Sequence, residues 1–182
     1  MNTRLLGTLG MIGGVGLLAG EVRHLISGVR ITGATVDAPD IVGYLIWGIG
    51  GICAFWAIYQ LGVTGKGRWT RLLPLVALVG FAAMALASAS ELIGLTQPAT
   101  DPLIGVAWLL ILLGTVLAAI FALIVRTWTG WRKFAPLFCI LTILTFIVGD
   151  AGGLLFGSSW VLLGYAVFTS ASPAARLAPV PA

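Results

Sequence analysis

Four ionisable side chains stand near the ends of long apolar segments, where they could handle protons or ions: Glu21, His24, Glu91 and Asp150. Charged groups are costly inside a bilayer, so an ionisable residue in a membrane segment is a candidate functional residue. Glu21 and His24 are three positions apart and would share one face of a helix. We therefore predict an intramembrane polar site that draws on these four residues.

Glu91 and Asp150 each have a second interpretation. Glu91 shares a helix face with the small residues Ala87 and Gly94, which predicts that it points toward a neighbouring helix. Its position near the end of its apolar segment favours instead a carboxylate that reaches the lipid headgroups. Asp150 stands among glycines, and these favour a turn residue.

The sequence predicts neither a metal site nor a bound cofactor. His24 is the only histidine, so one chain cannot form a bis-histidine haem or a three-histidine metal centre. A single axial ligand to a cofactor in a larger complex is the role left open. Cys53 and Cys139 lack ligand spacing and are interpreted as small apolar residues. The sequence also lacks the common catalytic signatures, which argues against an enzyme.

The composition indicates a membrane protein. Of the 182 residues, 59% are hydrophobic and 9% are charged, whereas soluble domains carry about a quarter charged residues. The mean hydropathy is +1.09. The basic residues lie in short loops beside apolar segments, where they orient a chain in a bilayer. The net charge of +4 is therefore not interpreted as a sign of nucleic-acid binding.

The apolar runs predict an all-α fold, a polytopic bundle of six transmembrane helices in a single domain over 1–170. The predicted helices are 5–26, 41–63, 72–95, 103–125, 131–150 and 153–170. One helix over 134–168 would be about 50 Å long against a hydrocarbon core of about 30 Å, so we place a break at Gly149–Gly153. The alternative is five helices plus a re-entrant segment. Residues 171–182 are predicted to be a disordered tail.

The first apolar run also has the outline of a signal peptide, with Arg4 before a short apolar stretch. A leucine, Leu18, occupies the cleavage region, where small residues are preferred. The run is rich in glycine, which favours a closely packed membrane helix. We therefore interpret it as the first helix of the bundle.

Lysine and arginine counts predict the orientation. With the amino terminus inside, most basic residues fall on the cytoplasmic side: Arg4, Lys66, Arg68, Arg71, Arg126, Arg132, Lys133 and Arg176. Arg23, Arg30 and all six acidic residues fall on the other side. This distribution predicts a multi-pass protein of a bacterial cytoplasmic membrane with both termini in the cytoplasm. Six tryptophans are interpreted as interfacial anchors: Trp47, Trp69, Trp108, Trp128, Trp131 and Trp160.

A spacing recurs along the chain. Asp40 precedes Trp47 by seven residues, and Asp101 precedes Trp108 by seven. Trp160 stands in a comparable place in the last predicted helix. The pattern is consistent with three helical hairpins repeated in one orientation, as occurs in some transporters. The alternative is convergence, since the rules of membrane insertion alone place tryptophans and basic residues at similar points.

The layout resembles a loose group of small, uncharacterised multi-helix membrane proteins of bacteria. The resemblance is carried by two segments, Tyr59-Gln60-Leu61-Gly62-Val63-Thr64-Gly65 and Trp160-Val161-Leu162-Leu163-Gly164-Tyr165-Ala166. These segments cover little of the chain, and the resemblance implies no activity.

Three functions are compatible with these features. The favoured one is a non-enzymatic accessory, scaffold or lipid-contacting subunit of a membrane assembly, whose partners are membrane lipids and another protein or a second copy. The second is a small transporter or channel that uses Glu91 and Asp150. The third is a membrane enzyme acting on a lipid or a quinone, with Glu91 or the Glu21–His24 pair as acid and base.

Overall fold

A computed structural model describes residues 2–27, 38–94, 97–146 and 150–170, with side chains except at 97–99, 142–146, 150 and 151. It contains six helices: α1 (Thr3–Ser27), α2 (Ala38–Leu61), α3 (Arg68–Leu92), α4 (Gln97–Val125), α5 (Ala135–Phe146) and α6 (Asp150–Ser170). A 3-10 turn, Gly130–Phe134, precedes α5. The predicted fold class, an all-α bundle of six helices, is confirmed. The predicted tail, 171–182, lies outside the described residues.

Five of the described segments are long and apolar enough to cross a membrane: Thr3–Ser27, Ala38–Leu61, Arg68–Leu92, Thr100–Val125 and Gly152–Ser170. Their outer faces carry large, exposed apolar side chains such as Val15, Val79 and Leu109. Such faces suit contact with lipid tails. The described part of α5 is shorter, at 12 residues.

The turn between α2 and α3 is set by its glycines. Gly62 and Gly65 have positive φ angles of 63° and 116°, which a residue with a Cβ adopts only with strain. Thr64 is buried between them and donates a hydrogen bond to the carbonyl oxygen of Thr70 at 2.6 Å. This contact ties the turn to the first residues of α3.

Each helix packs against its neighbours in the chain, and α6 returns to pack against α1, so the six helices close a ring. Glycines set the separation of the helices. A Cβ added to Gly13 of α1 would lie 2.9 Å from the Cα of Gly50 in α2, and one added to Gly80 of α3 would lie 2.7 Å from the backbone nitrogen of Ile111 in α4. Small residues allow this close approach of backbones. The glycine contacts also show antiparallel packing of α1 on α2, α2 on α3, α3 on α4 and α6 on α1.

The last apolar region forms two antiparallel segments rather than one long helix. Near the start of the region, Arg132 Nε donates to Thr169 Oγ1 at 3.1 Å, which places this start beside the end of α6. Further along, the thiol of Cys139 donates to the carbonyl oxygen of Ser159 at 3.5 Å. Helix α6 begins at Asp150, three residues before the predicted start at 153, so Asp150 belongs to α6 and not to the end of the fifth predicted helix. Helix α5 therefore runs antiparallel to α6 over the residues that the structure describes.

The antiparallel ring separates the charges. Helices α1 and α3 finish, and α2, α4 and α6 begin, at one end of the bundle, which we call the acidic end. Its described carboxylates are Glu21, Asp40, Glu91 and Asp101. The opposite, basic end holds the described cations Arg4, Lys66, Arg68, Arg71, Arg126, Arg132 and Lys133. Arg30, Asp37 and Arg176 lie outside the described residues.

Candidate functional site

A polar cluster lies at the acidic end, where the last turns of α1 meet the first turns of α2. The antiparallel pairing brings Glu21, Arg23 and His24 beside Asp40. Glycines leave space between the two helices: a Cβ on Gly43 would lie 3.4 Å from the carbonyl oxygen of Gly16. The cluster thus depends on the register of one helical hairpin.

Asp40 is the centre of this cluster. Its Oδ1 accepts from Arg23 Nη2 at 2.8 Å and lies 2.9 Å from His24 Nε2. The side chain of Asp40 is 8% exposed, that of His24 is 13% exposed and that of Arg23 is 37% exposed. The aspartate also lies in the first turn of α2, where the helix dipole favours a negative charge. Asp40 therefore joins the end of α1 to the start of α2 through its contacts with Arg23 and His24.

A small cavity adjoins the cluster, and we call it the acidic-end pocket. Its volume is about 20 Å³, which is room for one water-sized group. Its lining residues are Gly16, Leu17, Gly20, Glu21, His24, Asp40, Gly43 and Tyr44. Carboxylates, an imidazole and a phenol therefore converge on a space that three glycines keep open.

Helix α6 closes one side of the cluster. A Cβ on Gly153 would overlap the carboxyl group of Glu21, so this carboxyl group packs directly against the first turns of α6. Backbone N–H groups at a helix start lack partners within the helix, and the dipole is positive there. The position of Glu21 therefore suits its negative charge.

Glu91 makes a separate polar contact at the same end. Thr100 Oγ1 donates to Glu91 Oε1 at 2.6 Å, which links the end of α3 to the start of α4. Thr100 is buried and Glu91 is half-buried. Glu91 thus bonds within its own hairpin, and it is not among the residues that line the acidic-end pocket.

Aromatic rings fill the middle of the bundle, below the pocket. Five residues form what we call the aromatic core: Trp47, Phe81, Trp108, Phe156 and Trp160. The ring centroid of Trp47 lies 5.1 Å from that of Phe81, 5.3 Å from Trp108, 5.6 Å from Phe156 and 5.5 Å from Trp160. Several pairs are edge to face, the arrangement that the ring quadrupoles favour.

The indole N–H groups of Trp47 and Trp160 are buried and have no hydrogen-bond partner among the described residues. The planes of these two rings cross at 75°. Ring hydrogens directed at a neighbouring π face are weakly favourable. The edge-to-face packing of Trp47 on Trp160 is a contact of this kind between ring hydrogens and a ring face.

The tryptophans differ from the sequence-based expectation of six interfacial anchors. Trp47, Trp128 and Trp160 are buried, at 1%, 4% and 2% exposure, and Trp108 is half-buried in the aromatic core. A tryptophan is largely apolar, so ring packing inside the bundle competes with the interface for it. Trp69 is 78% exposed beside a basic turn, and its anchor role stays a prediction. The same holds for the exposed tryptophan of the second turn, Trp131.

The predicted polar site is thus divided by the structure. Glu21 and His24 come together in the acidic-end pocket, whereas Glu91 pairs with Thr100. Asp150 begins α6 at the same end, but its side chain lies outside the description. Sequence reasoning missed Asp40 as a site residue, although Asp40 and His24 stand at similar distances in sequence from the middle of residues 28–37, which separate α1 from α2. That symmetry was the available signal, since antiparallel helices pair such positions.

Arg23 and Tyr44 were also missed as site residues. In the sequence Arg23 serves only to predict the orientation, and Tyr44 has no distinguishing neighbour. Tyr44 lines the pocket and its ring lies 6.3 Å from that of Trp47. It therefore separates the polar cluster from the aromatic core.

Comparisons of the chain with models of protein families, with curated proteins and with solved structures find no match. The fold by itself defines the class: a multi-pass, helical-bundle integral membrane protein. The site gives this protein its particular features, which are a polar pocket at one end and an aromatic core beneath it.

Proposed function

We propose that the protein is a non-enzymatic membrane module, an accessory or scaffold subunit built on a sealed helical bundle. The observation that carries this proposal is the aromatic core. Its rings come from α2, α3, α4 and α6 and approach one another to between 5 and 6 Å, as between Trp47 and Phe81 at 5.1 Å. Rings at such separations are in contact. A hydrated ion would have to displace them to pass.

The position of the polar groups supports a sealed bundle. The acidic-end pocket meets Tyr44 on its inner side, and Tyr44 contacts the core through Trp47. Apart from Arg23, the described arginines and lysines lie at the opposite end, with the aromatic core between the two ends. Arg71 places its guanidinium 5.0 Å from the ring of Tyr59 and so rests on the outside of the bundle.

We place the basic end in the cytoplasm of a bacterial cell, in accordance with the positive-inside rule. Single-cysteine variants test this orientation on a background free of Cys53 and Cys139. Lys66→Cys should be labelled by a membrane-impermeant maleimide only after the cells are opened. Asp101→Cys should be labelled in intact cells. The reverse pattern would overturn the orientation. We also propose that the protein belongs with the small bacterial multi-helix membrane proteins that it resembles.

Reconstitution tests whether the bundle is sealed. Liposomes that contain the wild-type protein should pass protons and potassium no faster than protein-free liposomes. The double variant Trp47→Ala, Trp160→Ala removes two rings of the core and should raise the leak if the protein still inserts. Trp56→Ala, on the lipid side of α2, is the matched control and should not. Selective, saturable flux through the wild type would refute the sealed bundle.

Photo-crosslinking in native membranes tests the scaffold role. Leu109 and Leu113 of α4 are 65% and 48% exposed, so a crosslinking residue at either position reports what covers this face. We expect a discrete adduct with one protein or with a second copy at some positions in a scan of the exposed faces. Adducts with lipid alone at every scanned position would contradict a scaffold.

A small carrier is the second candidate function, and the acidic-end pocket is the observation that favours it. Glu21, His24 and Asp40 could load an ion or a proton there, with Glu91 and Asp150 at the same end. If reconstitution shows flux and Glu91→Gln or Asp150→Asn abolishes it, the carrier function replaces the sealed module. If flux instead persists in Glu91→Gln and in Asp150→Asn but is lost in Asp40→Asn, the carrier site is the acidic-end pocket alone.

A further inference from the structure

The basic end carries a surface whose positive charges have no acidic neighbour. Four exposed cations of the two basic turns form what we call the basic-turn surface: Lys66, Arg68, Arg71 and Arg126. The chain has no aspartate or glutamate in 41–90 or in 102–149, and the described carboxylates lie at the acidic end. None of the four cations forms an ion pair with another described residue. Their charge is therefore available to an anion from outside the chain.

The two basic turns are in contact, so these cations share one surface. A Cβ added to Gly65 would lie 3.4 Å from Val125 Cγ2. Lys66 comes directly after Gly65, and Arg126 comes directly after Val125. Thr127, one residue further on, donates a hydrogen bond to a carbonyl oxygen of the first turn at 3.4 Å. Like charges on adjoining segments repel each other, and a shared anion would offset that repulsion.

Arg126 occupies a backbone position that is costly for an arginine. It follows Val125, the last residue of α4, and its φ angle is 53°. Glycine is the usual residue in this left-handed conformation after a helix end, because a Cβ strains it. The side chain of Arg126 is exposed and forms no ion pair with another described residue. Strain of this kind at an exposed, unpaired charge points to a use for the guanidinium outside the fold.

Aromatic side chains position Arg71 at the edge of the apolar surface. Its Cζ lies 5.0 Å from the centre of the Tyr59 ring, and Tyr59 stacks on Trp56 with the centroids 5.2 Å apart. Tyrosine and tryptophan rings favour the boundary between headgroups and acyl chains. Further along the same hairpin, Ile49 of α2 and Val79 of α3 are 48% and 54% exposed. The guanidinium of Arg71 therefore adjoins an apolar surface that acyl chains can cover.

The start of α3 reinforces this surface. Its N-cap residue, Gly67, has no side-chain cap hydrogen bond. The first N–H groups of a helix have no partner within the helix, and they lie at the positive end of its dipole. Arg68 is the first residue of α3, and Arg71 is three positions further, so both stand on the first turn and on one face. An anion bound by these side chains would also meet the favourable end of the helix.

The chemistry of these donors selects the partner. A guanidinium binds a phosphate through paired N–H···O bonds, and a lysine adds a point charge. A zwitterionic headgroup brings a cation that the surface would repel, whereas an anionic headgroup does not, and basic clusters beside membrane helices favour anionic lipids. We propose that the basic-turn surface binds one anionic phospholipid, with its phosphate among the four cations and its acyl chains along the outer faces of α2 and α3. The proposal is independent of whether the bundle is sealed and of whether it has a protein partner.

Two variants each remove one charge from the surface. Arg126→Gly also relieves the left-handed backbone, so it should fold at least as stably as the wild type. Arg71→Gln keeps a long polar side chain. Lys133→Gln is the matched control, because it removes the same charge from the other side of the bundle. The residue beside it, Arg132, donates to Thr169 at the end of α6.

Native mass spectrometry of the whole chain in detergent micelles tests the proposal. The protein is titrated with phosphatidylglycerol or with phosphatidylcholine of matched acyl chains. The wild type should bind the first phosphatidylglycerol at least about tenfold more tightly than phosphatidylcholine, because several cations contribute. Arg126→Gly and Arg71→Gln should each weaken phosphatidylglycerol binding about fivefold, the effect of one cation near an anionic surface, and leave phosphatidylcholine binding unchanged. Lys133→Gln should bind both lipids as the wild type does.

Two results would overturn the proposal. One is equal binding of the two lipids by the wild type, or undiminished phosphatidylglycerol binding by the folded Arg126→Gly and Arg71→Gln variants. The other is equal weakening by all three variants, since net charge rather than a defined surface would then govern binding. An unfolding titration in dodecyl sulfate accompanies each variant, and Arg126→Gly decides the question if Arg71→Gln does not fold. Glycerol phosphate that competes as well as the whole lipid would overturn the placement of the acyl chains.

Discussion

Replacement of Trp47 by alanine should destabilise the bundle more than any other single tryptophan truncation. Trp47 is 1% exposed and its ring contacts five others. These are the rings of Tyr44, Phe81, Trp108, Phe156 and Trp160. Lipid tails are as apolar as the core, so the loss reflects packing rather than transfer from water. Five aromatic pairs at about 0.5–1.5 kcal/mol each give about 2.5–7.5 kcal/mol, a range that includes the loss of about 3–5 kcal/mol usual for a buried Trp→Ala change.

Trp56→Ala is the control on the same helix. Trp56 is 36% exposed and stacks on one ring, that of Tyr59, with the centroids 5.2 Å apart. Its truncation should lower the free energy of unfolding by about 0.5–1.5 kcal/mol. The contrast with Trp47 therefore isolates the aromatic core from the general effect of removing an indole.

Equilibrium unfolding in mixed micelles, titrated with sodium dodecyl sulfate and followed by far-ultraviolet circular dichroism, measures both losses. This signal does not depend on the number of tryptophans. If Trp47→Ala does not fold, Trp47→Phe keeps part of the ring contacts and should lose an intermediate amount. Equal losses for Trp47→Ala and Trp56→Ala would refute the reasoning, because the ring contacts would then carry no stability of their own.

Three further predictions follow from single contacts. Gly80→Ala forces its Cβ to within 2.7 Å of the α4 backbone and should lower the free energy of unfolding by about 1–3 kcal/mol, while Gly105→Ala should stay within about 0.5 kcal/mol of the wild type in the same titration. Thr100→Val removes the hydrogen bond to Glu91 and should destabilise by about 0.5–1.5 kcal/mol; an unchanged unfolding midpoint would show that this bond adds nothing. Cys139 is 0% exposed, so a membrane-permeant maleimide should label it only after dodecyl sulfate unfolds the bundle, and rapid labelling of the folded protein would contradict its burial.

The helices themselves could be predicted because length and apolarity are local properties. A run of about 20 apolar residues must satisfy its backbone within a helix in the bilayer. A break near Asp150 follows from the same limit on length, but its place could not be read from the glycines, since Gly152 and Gly153 lie inside α6. The separation of basic and acidic residues could be predicted as well, since it needs only the alternation of direction between successive helices.

The polar contacts could not be predicted because they depend on register and rotation. The sequence places Glu21 and His24 on one face of α1, but their common neighbour Asp40 lies on another helix. Only the closeness of α1 and α2, which Gly16 and Gly43 permit, brings these groups to one pocket. Glu91 illustrates the same limit, because Thr100 becomes its partner only through the packing of α3 on α4.

The tryptophans show most clearly what the sequence determined and what the tertiary structure decided. The sequence determined that Trp47, Trp108 and Trp160 stand at comparable places in three helices that run in one direction. An indole suits both a membrane interface and an apolar core, so its type does not choose between them. The closed ring of helices made the choice, because it turns these three positions toward a common centre. The sequence thus determines which side chains each helix has, and the rotation of the helices in the bundle determines which neighbours those side chains contact.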